Sequence, residues 1–567
     1  MRLDFNMTQH QFTRFSTSID QYSLPANFTF PYYYVPHPLA LLAMSELQHY
    51  LDTQQEWQYD FTAIGHMFGV LVVKNQQGDI GYLSSYAGNE LTNHKIHSDT
   101  PSLFVDTIVD HHYDQPYFTE KTQHINTLRH HISTLKSTPE FSALTDKLVL
   151  KNSQAEQEIT AFQQSMAKSK KQRKQLRTEA ESNPASTVNT AQLEALIHDL
   201  GNQSSREKRE LKALKEQWKA SLAELTIQHN TMLTSIAQKE NEYKQLSKNL
   251  DIEKLRACQF TNQLGSTKSL YDLFTAVDDE SSPISHSSEE NAPKLLQAAF
   301  KMGLTPLALG EFWWGSSPYE TIRQHKNVYP ACQSKCFEIL EHMLEGIELD
   351  DNSLKQTPSY GKDLEIVYED EAIVIVNKPA EFLSVPGKFI TDSVQTRIKA
   401  RYPQATGPLI VHRLDMSTSG LLVLTLTAET NKQVQKQFID RTVEKRYTAL
   451  LEGNIALNDG IIDLPLTGDL EDRPRQMVDH KQGRKAETTF QVIERNNNQT
   501  KVYLYPKTGR THQLRVHCAH QAGLGTPIVG DDLYGFKSNR LHLHAGYLKF
   551  THPITGNEVE FSVKDDF

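Results

Sequence analysis

The chain has 567 residues, with 59 Lys and Arg against 69 Asp and Glu and a formal net charge of -10. That length allows three or four domains at roughly 150 residues each, and the negative balance excludes a globally basic nucleic-acid binder, so any RNA or DNA site must be a local patch. Cys258, Cys332, Cys336 and Cys518 are too few for a disulfide scaffold, and neither a signal peptide nor a run near the roughly 18 apolar residues of a membrane span is visible, so a cytoplasmic protein without membrane contact is expected.

Residues 1–118 read as globular. PHPLALLAMSELQHYL (36–51) has helical spacing, and MFGVLVVKNQQGDIGYLSSYAG (67–88) reads as a hairpin around Gln-Gln-Gly-Asp. Composition then shifts. From about Thr119 to Cys258 there is almost no Gly and much Lys, Glu, Gln and Leu. Leu211, Leu214, Trp218, Leu222, Leu225, Met232, Ile236, Tyr243, Leu246 and Leu250 recur mostly at three- and four-residue steps, as a helical seam does. SNPAST (182–187) would turn the chain, which predicts two long helices over 119–260 folded into an antiparallel coiled-coil hairpin. KSKKQRKQLR (168–177) lies near its tip. Lys170, Lys171, Arg173 and Lys174 there are either a solvated helix face or an RNA phosphate contact, and the hairpin equally suits self-association.

Globular character resumes near 261. A helix (292–304), an aromatic strand (307–316) and a second helix (331–347) follow. Together with 1–118 they predict an N-terminal α/β accessory domain with the hairpin inserted in it. Cys332 and Cys336 sit in YPACQSKC. Zinc nucleobase deaminases place Pro-Cys-x-x-Cys at a helix start after a His-x-Glu. Here three residues intervene, and His286 and Glu289, the nearest candidates, have the wrong gap. The two thiols are weak metal candidates, and plain packing in a helical core is the competing account. The polar stretch 349–363 is expected to be a linker.

The last region, 364–567, has short apolar runs punctuated by Gly and Pro and predicts a mixed α+β fold. In HQLRVH, period two would put Gln513, Arg515 and His517 on one strand face, where Arg515 meets an aspartate on a neighbouring strand. HRLDMSTSG, KRYTA, GRTHQLRVH and PIVGDDLYG, in that order, resemble the RluA family of pseudouridine synthases. LEIVYEDEAIVIVNKPA with its LSVPG tail is similar to the family's first motif. No upstream S4 RNA-binding module is recognisable. Glu381 stands where the family commonly has glycine, so the local turn there is expected to differ.

The resemblance implies a mainly antiparallel sheet with flanking helices, and an enzyme that isomerises uridine within RNA to pseudouridine. The C1'–N bond breaks, the uracil turns and C5 bonds to C1', with no cofactor or metal. Asp415 would be the catalytic aspartate, Arg515 its guanidinium partner, and Tyr447 the active-site tyrosine against the uracil. Arg413 would enter the space left by the flipped base. Arg510, Gln513, His412 and Lys378 are further candidate RNA contacts, with local hydrogen bonding the alternative for His412 and plain solvation for Lys378. The expected substrate is ribosomal RNA, transfer RNA or both. Competing classes are a non-catalytic RNA-binding or ribosome assembly factor and a bifunctional deaminase–synthase.

Overall fold

The computed structural model describes residues 11–567 apart from 33–35, 56–58, 89–102, 107, 109–115, 183–189, 276–289, 333–335, 352–357, 389 and 471. The chain forms two compact units, His112–Lys254 and Met1–His111 with Leu255–Phe567. Among the described residues no helix is long and apolar enough to cross a membrane.

The first unit is helical. Pro116–Lys136, Pro139–Ser182 and Thr190–Ala257 are three helices, not two. The extra break falls at Thr138-Pro139, because proline disfavours a helical residue before it and is well placed in a first turn. The long third helix runs antiparallel to the other two. Lys121 pairs with Glu253 at 2.6 Å, Lys136 with Glu240 at 2.7 Å, and Arg173 with Glu207 at 2.7 Å. Trp218 Nε1 donates to Glu158 at 3.0 Å. Leu128, Ile132, Ala155, Ile236 and Leu250 are buried along these helices. All of the predicted SNPAST turn except Ser182 lies outside the described residues.

In the second unit the N-terminal part is a five-stranded sheet in the order Thr13–Arg14, Ile80–Tyr86, His66–Lys74, Thr305–Trp314, Val328–Tyr329. Every pair is antiparallel. This corrects the expected α/β arrangement, since neighbours joined by a hairpin must run antiparallel and parallel pairs need a crossover. Helix Pro38–Thr53 packs Leu39, Met44 and Leu47 against Phe68, Val70 and Phe312 of the sheet. Helix Asn291–Lys301 approaches the sheet at Gly69, where a Cβ would meet Asn291 at 2.7 Å.

Cys336 precedes the Phe337–Met343 helix and its thiol is hydrogen-bonded to Cys332, which together with burial pushes Cys336 well above the ordinary thiol range. No cluster of three or more His, Cys, Asp or Glu with metal-holding geometry occurs among the described residues. His286 and Glu289 lie outside them, as does 352–357 of the expected linker.

The C-terminal part is a nine-stranded sheet. Strand Ser419–Thr425 lies near its middle, antiparallel to Ile373–Lys378 and parallel to Leu543–Thr551. Leu422 and Leu424 pack with Val374, Val376 and Phe382 on one face, and Leu421 and Val423 with Ile375, Val434 and Phe550 on the other. Burial on both faces is why the strand reads as a continuous apolar run. Each such side chain contributes about 1.5–3 kcal/mol on burial, so the strand anchors the polar loop ahead of it. Gly420 has φ 114, and a Cβ there would meet Ala545 backbone at 2.4 Å.

Residues Gln513–Ala519 form a short helix, not the predicted strand. All seven are buried. An element buried all round carries no one-sided pattern, so period two had nothing to discriminate.

Candidate active site

A cavity of 1120 Å³ opens where this sheet meets the loop before Ser419. Asp415 lies in that loop, half-buried on the cavity wall. The loop is clamped on both sides of it. Ser384 Oγ donates to Leu414 O at 2.7 Å and accepts from Leu414 N at 3.1 Å. Phe382 N donates to Met416 O at 3.0 Å, and Thr418 N to Asp415 O at 3.2 Å. Ser419 Oγ is bonded to His544 Nδ1 at 2.8 Å and accepts from Arg540 at 2.6 Å. Among the described residues the Asp415 carboxylate has no hydrogen bond or ion pair. The backbone is fixed and the functional group is left open to a ligand.

Lys378 belongs to the same clamp. Its Nζ donates to Phe382 O at 2.7 Å, Met416 O at 2.9 Å and Pro379 O at 3.1 Å. Burial pushes the amine down to about 7, against the pull of the Glu381 and Asp415 charges. It is fully buried, so the expectation of a solvated or RNA-contacting lysine is corrected. Glu381 in the adjacent turn has φ 55. The backbone keeps the left-handed conformation that glycine adopts most cheaply, in spite of the side chain.

Tyr447 lies on strand Glu444–Leu451, just after a register shift between Arg446 and Tyr447, and lines the cavity with Asp415. Burial raises its hydroxyl above the ordinary tyrosine value and the Asp415 charge adds to this. Arg515 lines the cavity too, and the Asp415 charge reaches it. Its fork is filled by another acid, however. Nε and Nη2 meet Asp531 at 2.9 and 2.5 Å, and Nη2 meets Asp532 at 2.9 Å. The expected Asp415–Arg515 pairing is therefore corrected: Arg515 acts on Asp415 as a nearby buried positive charge. Burial works to raise Asp531, and the guanidinium outweighs it, leaving the carboxyl below its usual range.

The other candidates divide. Arg413 is exposed on the cavity rim, with no partner among the described residues. Arg510 lines the cavity and donates from Nε to Lys485 O at 3.0 Å. Gln513 is buried and committed to Thr508, the Arg510 amide, Glu487 O and Thr488, so it is no RNA contact. His412 accepts from Val423 N at 3.2 Å and stacks on Phe438, and burial pushes it down to about 3, so its ring is a neutral packing element. Lys170, Lys171 and Lys174 are exposed on the Pro139–Ser182 helix, but Arg173 is forked onto Glu207.

Arg441, Lys445 and His512 also line the cavity and are not among the expected site residues, His512 reading in the sequence as a local hydrogen-bonder. Lys445 had a signal, standing two residues from Tyr447 on one strand. Arg441 ends helix Ala428–Asp440 with φ 61, and His512 has φ 52 before the Gln513–Ala519 helix. Neither conformation is legible in residue type.

An RNA pseudouridylate synthase family model matches residues 372–520. The dual-specificity RNA pseudouridine synthase RluA of Salmonella typhi is 44% identical over 212 residues, which are 36% of this chain and 94% of that protein. The RluA of Escherichia coli K12 is 43% identical with the same shares, and that of Haemophilus influenzae 40% identical over 38% of this chain and 99% of its own length. A chain that spans such relatives almost whole, at these identities, belongs to the RluA family of pseudouridine synthases.

Proposed function

We propose that this protein converts uridine to pseudouridine in ribosomal RNA, transfer RNA or both, with Asp415 as the catalytic carboxylate. The observation that carries the reading is the unengaged Asp415 carboxylate, held on a clamped loop in one cavity with Tyr447. The dual specificity named for the bacterial relatives supports the choice of RNA classes. The target base must leave its stack to reach a wall-bound carboxylate. The glycosidic C1'–N1 bond breaks, N1 takes a proton, the uracil turns, C5 bonds to C1' and the C5 proton leaves. The reaction is an isomerisation and consumes no redox cofactor.

Asp415 acts ionised, either at C1' or by taking a proton from the sugar. The buried Arg515 guanidinium lies near Asp415 without occupying a carboxylate oxygen, which leaves both oxygens to the substrate. Tyr447 packs its ring against the uracil, and its hydroxyl helps remove the C5 proton. Arg413 fills the place of the flipped base, while Arg441, Lys445 and Arg510 take backbone phosphates. Residues 1–118 and 261–348 form an accessory region, and the exposed Lys170, Lys171 and Lys174 add a weak RNA contact.

The test is a map of pseudouridine in total RNA from cells carrying the wild-type gene, Asp415→Asn or no gene. Sites lost without the gene stay lost in Asp415→Asn if the assignment holds. Sites restored by Asp415→Asn reject Asp415 as the catalytic group. Full rescue of growth by the same variant, with the sites still absent, would favour an assembly role.

A further inference from the structure

The accessory region touches the catalytic part through the segment Ser317–Tyr329. Ile322 is buried in the catalytic core with Leu464, Val478 and Tyr534. Glu320 O accepts from Val478 N at 3.0 Å, and Tyr319 O is bonded to His520 Nε2 at 2.7 Å. Arg323 Nη2 reaches Asp472 Oδ2 at 2.5 Å, and Arg475 Nη1 meets the same oxygen at 2.7 Å. Both guanidiniums lie over the Tyr329 ring, at 5.2 and 4.8 Å. Gln324 Nε2 donates to Tyr534 O at 3.0 Å, and Asn327 Nδ2 to Gly535 O at 2.8 Å.

Gln324 reaches Tyr534 directly and the Asp472-held Arg475 reaches its chain neighbour, with Nε donating to Leu533 O at 2.9 Å; Tyr534 itself is 1% exposed. Its hydroxyl accepts from Gln476 N at 2.7 Å and meets His512 Nδ1 at 2.9 Å. The Tyr534 hydroxyl thus holds the His512 ring by its Nδ1 while it is itself held by the Gln476 amide. His512 stands in the cavity wall with a left-handed backbone. The next helix residues carry Arg515, whose partner Asp531 also accepts from Tyr534 N at 3.0 Å.

We propose that Arg323 and Gln324 of the accessory region are positioning residues for the pseudouridylation pocket, acting through Asp472 and Tyr534 to fix the His512 ring in the cavity wall. The link is polar, half-buried and aimed at one side chain of the pocket, where plain domain packing needs only apolar area. The RluA relatives are spanned almost whole by 36–38% of this chain, so its remaining length has no counterpart in them. Arg323 and Gln324 lie outside the family match at 372–520.

The inference rests on the cavity being the catalytic pocket, so Asp415→Asn is measured beside it. The assay is tritium release by the full-length protein from total RNA labelled at uracil C5, prepared from cells without the gene. Arg323→Ala and Tyr534→Phe are each expected to lower kcat about tenfold with KM held within about twofold, since a displaced wall group costs turnover while the rim that binds RNA is untouched. Arg323→Lys is expected to recover most of the loss, because its ammonium still meets Asp472. Wild-type kcat in Arg323→Ala, or a loss in Arg323→Ala with Tyr534→Phe at wild-type kcat, overturns the proposal. If Arg323→Ala does not fold, Gln324→Ala and Tyr534→Phe decide, and unchanged kcat in both overturns it. An active Asp415→Asn rejects the pocket reading instead.

Discussion

The floor and the rim of the cavity use the same basic side chains in opposite ways. In the floor Arg515 is forked onto Asp531, and behind the wall, in the clamp on the Asp415 loop, Lys378 meets three carbonyls. On the rim Arg413 and Arg441 are exposed, and among the described residues neither has a partner. A cation removed from water must be matched inside the protein, whereas one left in water needs no match and remains available to a ligand. Charge in the floor is therefore committed to holding the pocket's shape, and charge on the rim is left free to meet a ligand.

The largest expected effect breaks the floor. Arg515→Met leaves Asp531 buried without its cation and is expected to lower unfolding stability by about 3–5 kcal/mol, read from the urea midpoint. A loss below about 1 kcal/mol would mean that the floor tolerates an unmatched charge and that the contrast with the rim is false. Lys378→Met is the next test. It strands three carbonyls and is expected to cost about 1–3 kcal/mol at pH 7. The wild type also has a pH signature. The folded amine titrates at about 7 and the unfolded one near its ordinary 10.5. Between those values the unfolded chain binds a proton that the native state has released, so stability rises with pH across that window. Lys378→Met should lack this rise. An equal rise in both proteins would show that another group causes it.

The same division explains what the sequence disclosed. HRLDMSTSG was legible because a charged loop must be followed by an apolar strand to be held in place, and residue type shows both. The partner of Arg515 was not, although it stood in plain view in PIVGDDLYG. A fully buried arginine requires a buried acid, and the paired Asp531–Asp532 was the available signal. Reading HQLRVH as a strand hid it by directing Arg515 at Asp415. Lys378 before proline looked like a solvated turn residue, since nothing local shows that three carbonyls from two loops converge on it. The helix break at Thr138-Pro139 was readable from proline chemistry alone. The support at Ser317–Tyr329 was not, because its partners lie some 150 to 210 residues away in Asp472 and Tyr534.

Smaller effects sharpen the rim. Arg413→Ala with Arg441→Ala should leave stability within about 0.5 kcal/mol of wild type, since neither side chain has a partner among the described residues to lose. RNA affinity should fall, and the slope of log affinity against log salt should drop by about one for each phosphate contact removed. An unchanged slope would show that the rim arginines do not reach phosphate.

The smallest effect is expected on the helical unit. Lys170, Lys171 and Lys174 are exposed, while Arg173 between them is held by Glu207 with side-chain exposures of 12% and 15%. This reproduces the floor-and-rim division on a single helix, and it predicts which cations are free to act. Lys170→Gln, Lys171→Gln and Lys174→Gln together should weaken RNA binding by no more than about threefold at physiological salt, where solvated charges are screened beyond about 8 Å. The loss should grow as salt is lowered, with kcat unchanged. Arg173→Gln should instead loosen the pairing of the two helices, visible as a lower melting temperature of the helical signal with no change in salt dependence. If the triple variant binds RNA like wild type at low salt, these lysines are a solvated helix face and the rim alone supplies the electrostatic attraction.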